Sequence, residues 1–198
     1  MITKKHLAIK LSKLKSYSNP KVKLEQYVLN SEIAAEILWN AYLQDNIENK
    51  IIADLGCGPG ILGIGALLLG AKKVYFIDID PEAIELAKEN TNNKNAIFKI
   101  QNIQDFNIKV DTILQNPPYG TKDEHADKKF LEKAFSLTKN IYTLHKITTK
   151  SFINSITKDN NFKIKGILEF NYPLKKSYDF HKKPVKNIKV GCWILNSP

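Results

Sequence analysis

Leucines at positions 7, 11 and 14, with lysines between them, recur at helical spacing and predict a basic amphipathic helix over residues 4–17, broken by Asn19-Pro20. A second helix is expected from about Ser31 to Tyr42, with Ser31 as N-cap and Ile33, Ile37 and Leu38 on its inner face. From Lys50 the pattern becomes an alternation of short apolar strands and helices. Strands are expected at 51–56, 73–80, 97–100, 110–115 and 140–145, and helices at 61–70, 81–93, 126–139 and 148–158. Pro81 opens its helix at a favourable first-turn position, with Glu82 and Glu85 near the positive end. Two longer strands, 162–172 and 186–195, follow with no convincing helix between them, which predicts an antiparallel hairpin at a sheet edge.

Alternating strands and helices imply an α/β fold, a mostly parallel sheet with helices on both faces. At 198 residues the expectation is one domain, 1–198, in which a basic helical extension (1–49) precedes a catalytic α/β core (50–198). No apolar run approaches the roughly 20 residues of a membrane span, and the N-terminal stretch lacks a secretory h-region. Two cysteines, Cys57 and Cys192, make no disulfide framework, so a reducing cytoplasm is the expected compartment.

Charge changes the picture. All 30 basic residues are lysine, and the formal net charge is +10. The excess avoids the centre: residues 51–121 hold 6 lysines against 8 acids, residues 122–198 hold 16 against 7, and the first 23 residues carry 7 and no acid. A lysine-biased genome accounts for the missing arginine but not for this segregation, which points to a nucleic-acid partner.

The segment Asp54-Leu55-Gly56-Cys57-Gly58-Pro59-Gly60 joins the first core strand to its helix. Glycines there let the backbone turn sharply and bring amides close to a ligand at a helix N-terminus. Because 58–63 also matches G-x-G-x-x-G, and Asp78 or Asp80 lies where an acid grips ribose hydroxyls, the loop indicates an adenosine-containing cofactor without saying which. Two details favour S-adenosylmethionine over a pyrophosphate: Asp54 would face an ammonium but repel a phosphate, and Pro59 removes an amide from a phosphate cradle.

Asn116-Pro117-Pro118-Tyr119 follows the fourth core strand, at the edge where ligands bind in open α/β sheets. Its prolines rigidify the turn, so Asn116 Oδ1 and the Pro117 carbonyl can accept one hydrogen each from a planar NH2 group and aim the nitrogen lone pair at a methyl donor. Tyr119 offers a face for stacking a base. No strong base is needed, because the proton leaves after nitrogen has become cationic, and catalysis is mostly positioning.

In that order the glycine loop, the Asp78-Ile79-Asp80 segment and Asn116–Tyr119 resemble class I S-adenosylmethionine-dependent amino-methyltransferases. LEQY (24–27), NPPYGTK (116–122), YTLHK (142–146) and FHKK (180–183) narrow the resemblance to the methyltransferase-like protein 5 family of RNA adenine-N6 methyltransferases, of archaeal type, over nearly the whole chain. The resemblance implies a Rossmann-like, seven-stranded sheet with one antiparallel strand, S-adenosylmethionine as donor, and an adenosine of small-subunit ribosomal RNA as substrate. It carries cofactor contacts onto Gln26, the loop at Gly56, Pro59 and Ile61, onto Asp78, and onto Asn102 and Ile103; Asp54, Cys57 and Gly58 belong to the same loop. It further implies a heterodimer with a small zinc-binding activator subunit that adds a strand to an exposed edge, for which 74–77 and 97–100 are candidates. The chain departs from the family at Asn102, usually acidic, at Leu29, often threonine, and at Pro59, where another small residue occurs.

Other residues suggest less. His145-Lys146 and 180–183 could contact RNA phosphates or be an ordinary strand end and loop. His6, His125, His145 and His181 show no metal-ligand spacing, so no protein-bound metal is expected. Cys57 reads as a small loop residue, and Trp39 and Trp193 as core. Glutamine N5-methylation of a translation factor needs the same turn, and a catalytically silent RNA-binding assembly factor would keep the same fold. A NAD-dependent oxidoreductase is the weakest alternative, since nothing resembles a hydride-transfer acid or base.

Overall fold

The computed structural model describes residues 2–27, 29–119, 126–175 and 185–198. The segment 180–183, His125 and the end of NPPYGTK lie outside them. Seven strands, β1 (Ile51–Leu55), β2 (Lys73–Asp78), β3 (Ala96–Ile100), β4 (Thr112–Gln115), β5 (Asn140–Lys146), β6 (Lys163–Lys175) and β7 (Val185–Asn196), form one sheet of order β3-β2-β1-β4-β5-β7-β6. All pairs are parallel except those of β7, which is antiparallel to both β5 and β6. The hairpin β6–β7 forms as predicted, with β7 turned inward so that β6 takes the edge.

Strands β1 and β4 are buried on both faces, which matches their continuous apolar runs. One apolar layer packs Leu7 and Leu11 of α1 (Lys4–Leu11), α2 (Ser31–Leu43) and α3 (Ile61–Leu68) against Ile52, Val74 and Phe76. The opposite layer packs α5 (Ala126–Leu137) and α6 (Lys150–Asp159) against Ala53, Ile77, Ile113 and Trp193. A β-carbon at Gly63 would collide with the Phe76 ring, so glycine there lets α3 lie directly on β2. Trp193 is fully buried and Trp39 packs half-buried against the first layer, so both are core residues.

Three expectations need correction. First, α1 stops at Leu11, six residues early, because the Asn90 side chain of α4 (Pro81–Asn90) takes both backbone groups of Lys15: Oδ1 accepts its N–H at 2.7 Å and Nδ2 donates to its carbonyl at 2.9 Å. Leu14 still packs against the core from the resulting turn. Second, the N-cap of α2 is Asn30, whose Oδ1 accepts the N–H groups of Glu32 and Ile33, and Ser31 is the first helical residue. Third, residues 74–77 are no edge: β2 lies between β1 and β3, and the exposed edge on that side is β3.

The order of strands reverses between β1 and β4, whose crossovers leave in opposite directions and open a crevice at their carboxyl ends. Register places Leu55 beside both Ile77 and Gln115, and Asp78 beside Ile100. The segments that follow these strands therefore emerge together on one edge.

Candidate active site

A cavity of about 910 Å³ occupies that edge, within the size range of small-molecule sites. Its floor is the glycine loop. Gly56, Gly58 and Gly60 all take left-handed backbone angles (φ +66°, +52° and +88°). At Gly58 the demand is twofold, since a β-carbon would also lie 2.7 Å from the Tyr17 hydroxyl. Cys57 N–H donates to the Ile77 carbonyl at 3.0 Å and Gly58 N–H to Asp78 Oδ2 at 2.9 Å, which ties the loop to the end of β2.

Of the two acids that sequence left open, Asp78 borders the cavity. Its second oxygen accepts the Asp80 N–H at 3.0 Å, and burial raises its carboxyl above the usual range against those hydrogen bonds. Asp80 is instead the N-cap of α4 and binds Lys21 Nζ at 2.8 Å and Gln26 Nε2 at 2.7 Å. Burial works to raise its carboxyl, but the bonds from Lys21 and Gln26 outweigh that and leave it lowered. Asp54 is 1% exposed; burial pushes its carboxyl up to about 8 even though Oδ2 accepts the Gly63 N–H at 2.8 Å. A cationic ligand group beside it would reverse that shift. Cys57 is also buried, which pushes its thiol up and fits a loop residue, not a nucleophile.

The turn after β4 lines the same cavity beside the loop. Gln115 anchors its start by donating from Nε2 to Thr143 Oγ1 at 3.0 Å. Among the described residues Asn116 Oδ1 accepts a long bond, 3.5 Å, from the Tyr119 hydroxyl, and Lys146 Nζ lies 5.4 Å from the centre of the Tyr119 ring. Asn102 caps the short turn Ile103–Asp105 by accepting the Gln104 N–H at 3.0 Å, with Ile103 buried beneath it. Gln26, the loop residues, Asp78, Asn102, Ile103 and Asn116–Tyr119, every site residue expected from sequence, line this one cavity.

Sequence reasoning missed four contributors and left one open. Tyr17 and Phe130 flank the loop at Gly58 and Gly56, and the Tyr17 phenol is pushed upward by burial and then by Asp78 and its neighbours. Glu25 Oε2 accepts the Tyr119 N–H at 2.9 Å, and Lys21 clamps Asp80 and Glu82. Glu25 stands within LEQY and Lys21 just before it, but that motif said nothing of what either side chain reaches, and Tyr17 and Phe130 carried no signal. His145 is not a phosphate contact: it is 1% exposed, its Nε2 is 2.7 Å from Thr143 Oγ1, and burial lowers its pKa to about 3.

The residues fit S-adenosylmethionine. Asp78 has lone pairs left for ribose hydroxyls, Ile79 and Ile103 offer apolar faces to a purine beside the Asn102 amide, and α3 begins at Gly60, which has no side chain of its own to cap the helix, while Asp54 takes the Gly63 amide. A sheet with this order, one reversed strand and such a cavity at its switch point defines the class of protein: a class I S-adenosylmethionine-dependent methyltransferase.

Comparison with known proteins agrees and goes further. A family model for ribosomal protein L11 methyltransferase (PrmA) matches residues 35–117, the cofactor half up to the first proline of the turn. The uncharacterized protein MJ0284 of Methanocaldococcus jannaschii is 40% identical over 96% of this chain and 92% of its own. The rRNA N(6)-adenosine-methyltransferase METTL5 of Danio rerio is 36% identical over 94% of this chain and 95% of its own. The crystal structure of PH1948 from Pyrococcus horikoshii, described as a candidate RNA methyltransferase, superposes with a TM-score of 0.93 at 39% identity, covering 100% of this chain and 98% of that one. The chain belongs to the METTL5 family.

Proposed function

We propose that this chain methylates N6 of an adenosine in ribosomal RNA, with the small-subunit RNA as target. The observation that carries the reading is that the Asn116–Tyr119 turn and the glycine loop line one cavity, in a chain similar to the zebrafish enzyme over nearly its full length. The first 49 residues and the α/β core act as one domain.

S-adenosylmethionine supplies an electrophilic methyl group on a sulfonium. In the proposed assignment Asp78 takes the ribose hydroxyls, Asn102 and Ile103 the adenine side, and Gln26, Asp54 and the loop Gly56–Ile61 enclose the amino-acid end. Asn116 Oδ1 exchanges its long bond from Tyr119 for one amine hydrogen of the target adenosine, and the Pro117 carbonyl accepts the other. Pro118 keeps the turn rigid. Tyr119 stacks the flipped base, contributing roughly 1–3 kcal/mol. No side chain need remove a proton before transfer, since the methylated nitrogen is cationic and sheds its proton afterwards.

The basic extension suits the RNA backbone. Lys5, Lys10 and Lys13 are exposed on the N-terminal segment, which borders the cavity from Leu11 onward, whereas Lys4 pairs with Glu36 and Lys15 with Glu89. Replacing these three exposed lysines with glutamine is expected to weaken RNA binding. It should also flatten the slope of log affinity against log salt by about 0.7–0.9 for each phosphate that is no longer neutralised. An unchanged slope in a filter-binding titration would place the RNA interface elsewhere. A zinc-binding activator subunit belongs to the same proposal, and β3, the edge strand with Ile100 half-exposed, is where its strand would add. Among the described residues no helix is long and apolar enough to cross a membrane, and we assign the activity to the cytoplasm.

A further inference from the structure

The Asn116–Tyr119 turn has a mechanical problem. Its prolines lack N–H groups, so the protein has few handles by which to hold its far end. One backbone handle is the Tyr119 N–H, which donates to Glu25 Oε2 at 2.9 Å. Glu25 is 7% exposed, and its backbone sits at φ +49°, a left-handed conformation that costs free energy in any residue bearing a β-carbon. Glycine would take that conformation without strain but would bring no carboxylate.

What holds Glu25 in place is the turn around it. The Leu24 and Gln26 N–H groups both reach the Lys21 carbonyl, at 3.1 and 3.5 Å. Gln26 Oε1 accepts the Lys21 N–H at 2.7 Å while its Nε2 donates to Asp80 Oδ2, and Lys21 Nζ meets Asp80 Oδ1. Residues 21–26 are thereby pinned to the start of α4, and Glu25 reaches from this anchor to the turn.

We propose that Glu25 is a positioning residue for methyl transfer: its carboxylate fixes the far end of the Asn116–Tyr119 turn, and so the direction of the two acceptors that hold the target amine. The bond ties the turn to the Asp80 anchor beside Asp78. The inference rests on the methyltransferase reading above. It accounts for a strained, buried acid that stands outside the expected cofactor and amine contacts.

The test uses the full chain with three substitutions, Glu25→Ala, Glu25→Gly and Glu25→Gln. The first two should lower kcat about 10- to 100-fold while the Kd for S-adenosylmethionine and the KM for RNA change by no more than about threefold. Glu25→Gln should recover most of the rate, because its amide oxygen can accept the same N–H. Glu25→Gly, free of backbone strain, separates loss of positioning from loss of folding. Hydrogen exchange at the Tyr119 amide in the cofactor-free protein should accelerate in the alanine and glycine variants and stay slow in the glutamine variant. Exchange that does not respond, or an alanine variant with wild-type kcat, would overturn the proposal. So would a parallel loss of cofactor affinity, RNA affinity and rate in all three variants, which would mark a purely structural role. Wild-type protein that transfers no methyl group would instead sink the methyltransferase reading, and the exchange data would still decide the link between Glu25 and the turn.

Discussion

Asn116→Ala is expected to lower methyl transfer about 10²–10³-fold while leaving the affinity for S-adenosylmethionine nearly unchanged. The asymmetry follows from the geometry. Asn116 lines the same cavity as the glycine loop, and its Oδ1 accepts a long bond from the part-buried Tyr119 hydroxyl, so its removal costs the free protein one weak contact. The substitution takes away an acceptor that is needed once an amine is present. An amine held only by Pro117 can rotate, and its lone pair spends most of its time pointing away from the methyl group. Single-turnover kinetics on RNA, with cofactor binding measured separately by calorimetry, checks both halves. Turnover retained at the wild-type rate would remove Asn116 from the amine-orienting role.

Asp78→Ala should act on the other substrate. Its carboxylate already takes the Gly58 and Asp80 N–H groups, so truncation frees two largely buried donors at a typical cost of about 1–3 kcal/mol each, less wherever water enters. It also takes the ribose acceptor from the cavity, where a charge-assisted bond is worth about 1.5–3 kcal/mol. Cofactor affinity is therefore expected to fall about 100-fold, with a lower melting temperature alongside. Asp78→Asn keeps one acceptor and should be intermediate in both. An alanine variant that binds the cofactor as tightly as wild type would show that the ribose contact lies elsewhere.

The fold was legible because its signals are local. Apolar strands of four to seven residues alternate with helices that carry their own caps, such as Asp80-Pro81 before α4, and the missing helix after 172 forecast the terminal hairpin. The end of α1 was not legible: Leu14 continues the helical pattern, and the competing force is a pair of hydrogen bonds from Asn90, 75 residues away. The same distinction divides the site. The glycine loop and the Asn-Pro-Pro-Tyr turn announce themselves by composition, since their backbones need glycine and proline. Which acid borders the cavity depended on Lys21 and Gln26 reaching Asp80, contacts across more than 50 residues. For His145 the sequence left a phosphate contact and an ordinary strand end both open, because burial by the antiparallel β7 with Trp193 is not visible from its place beside a lysine at the end of β5. Glu25 was invisible as a working residue, because its meaning lies in one backbone amide 94 positions on.

The most direct measurement is transfer of labelled methyl from S-adenosylmethionine to small-subunit ribosomal RNA and, in parallel, to ribosomal and translation-factor proteins, with and without a zinc-binding activator subunit. The products are digested and the modified residue identified by mass spectrometry. Label in N6-methyladenosine from the RNA is the predicted result. Label on a protein glutamine, or none in the RNA although the cofactor binds and the activator is present, would contradict it.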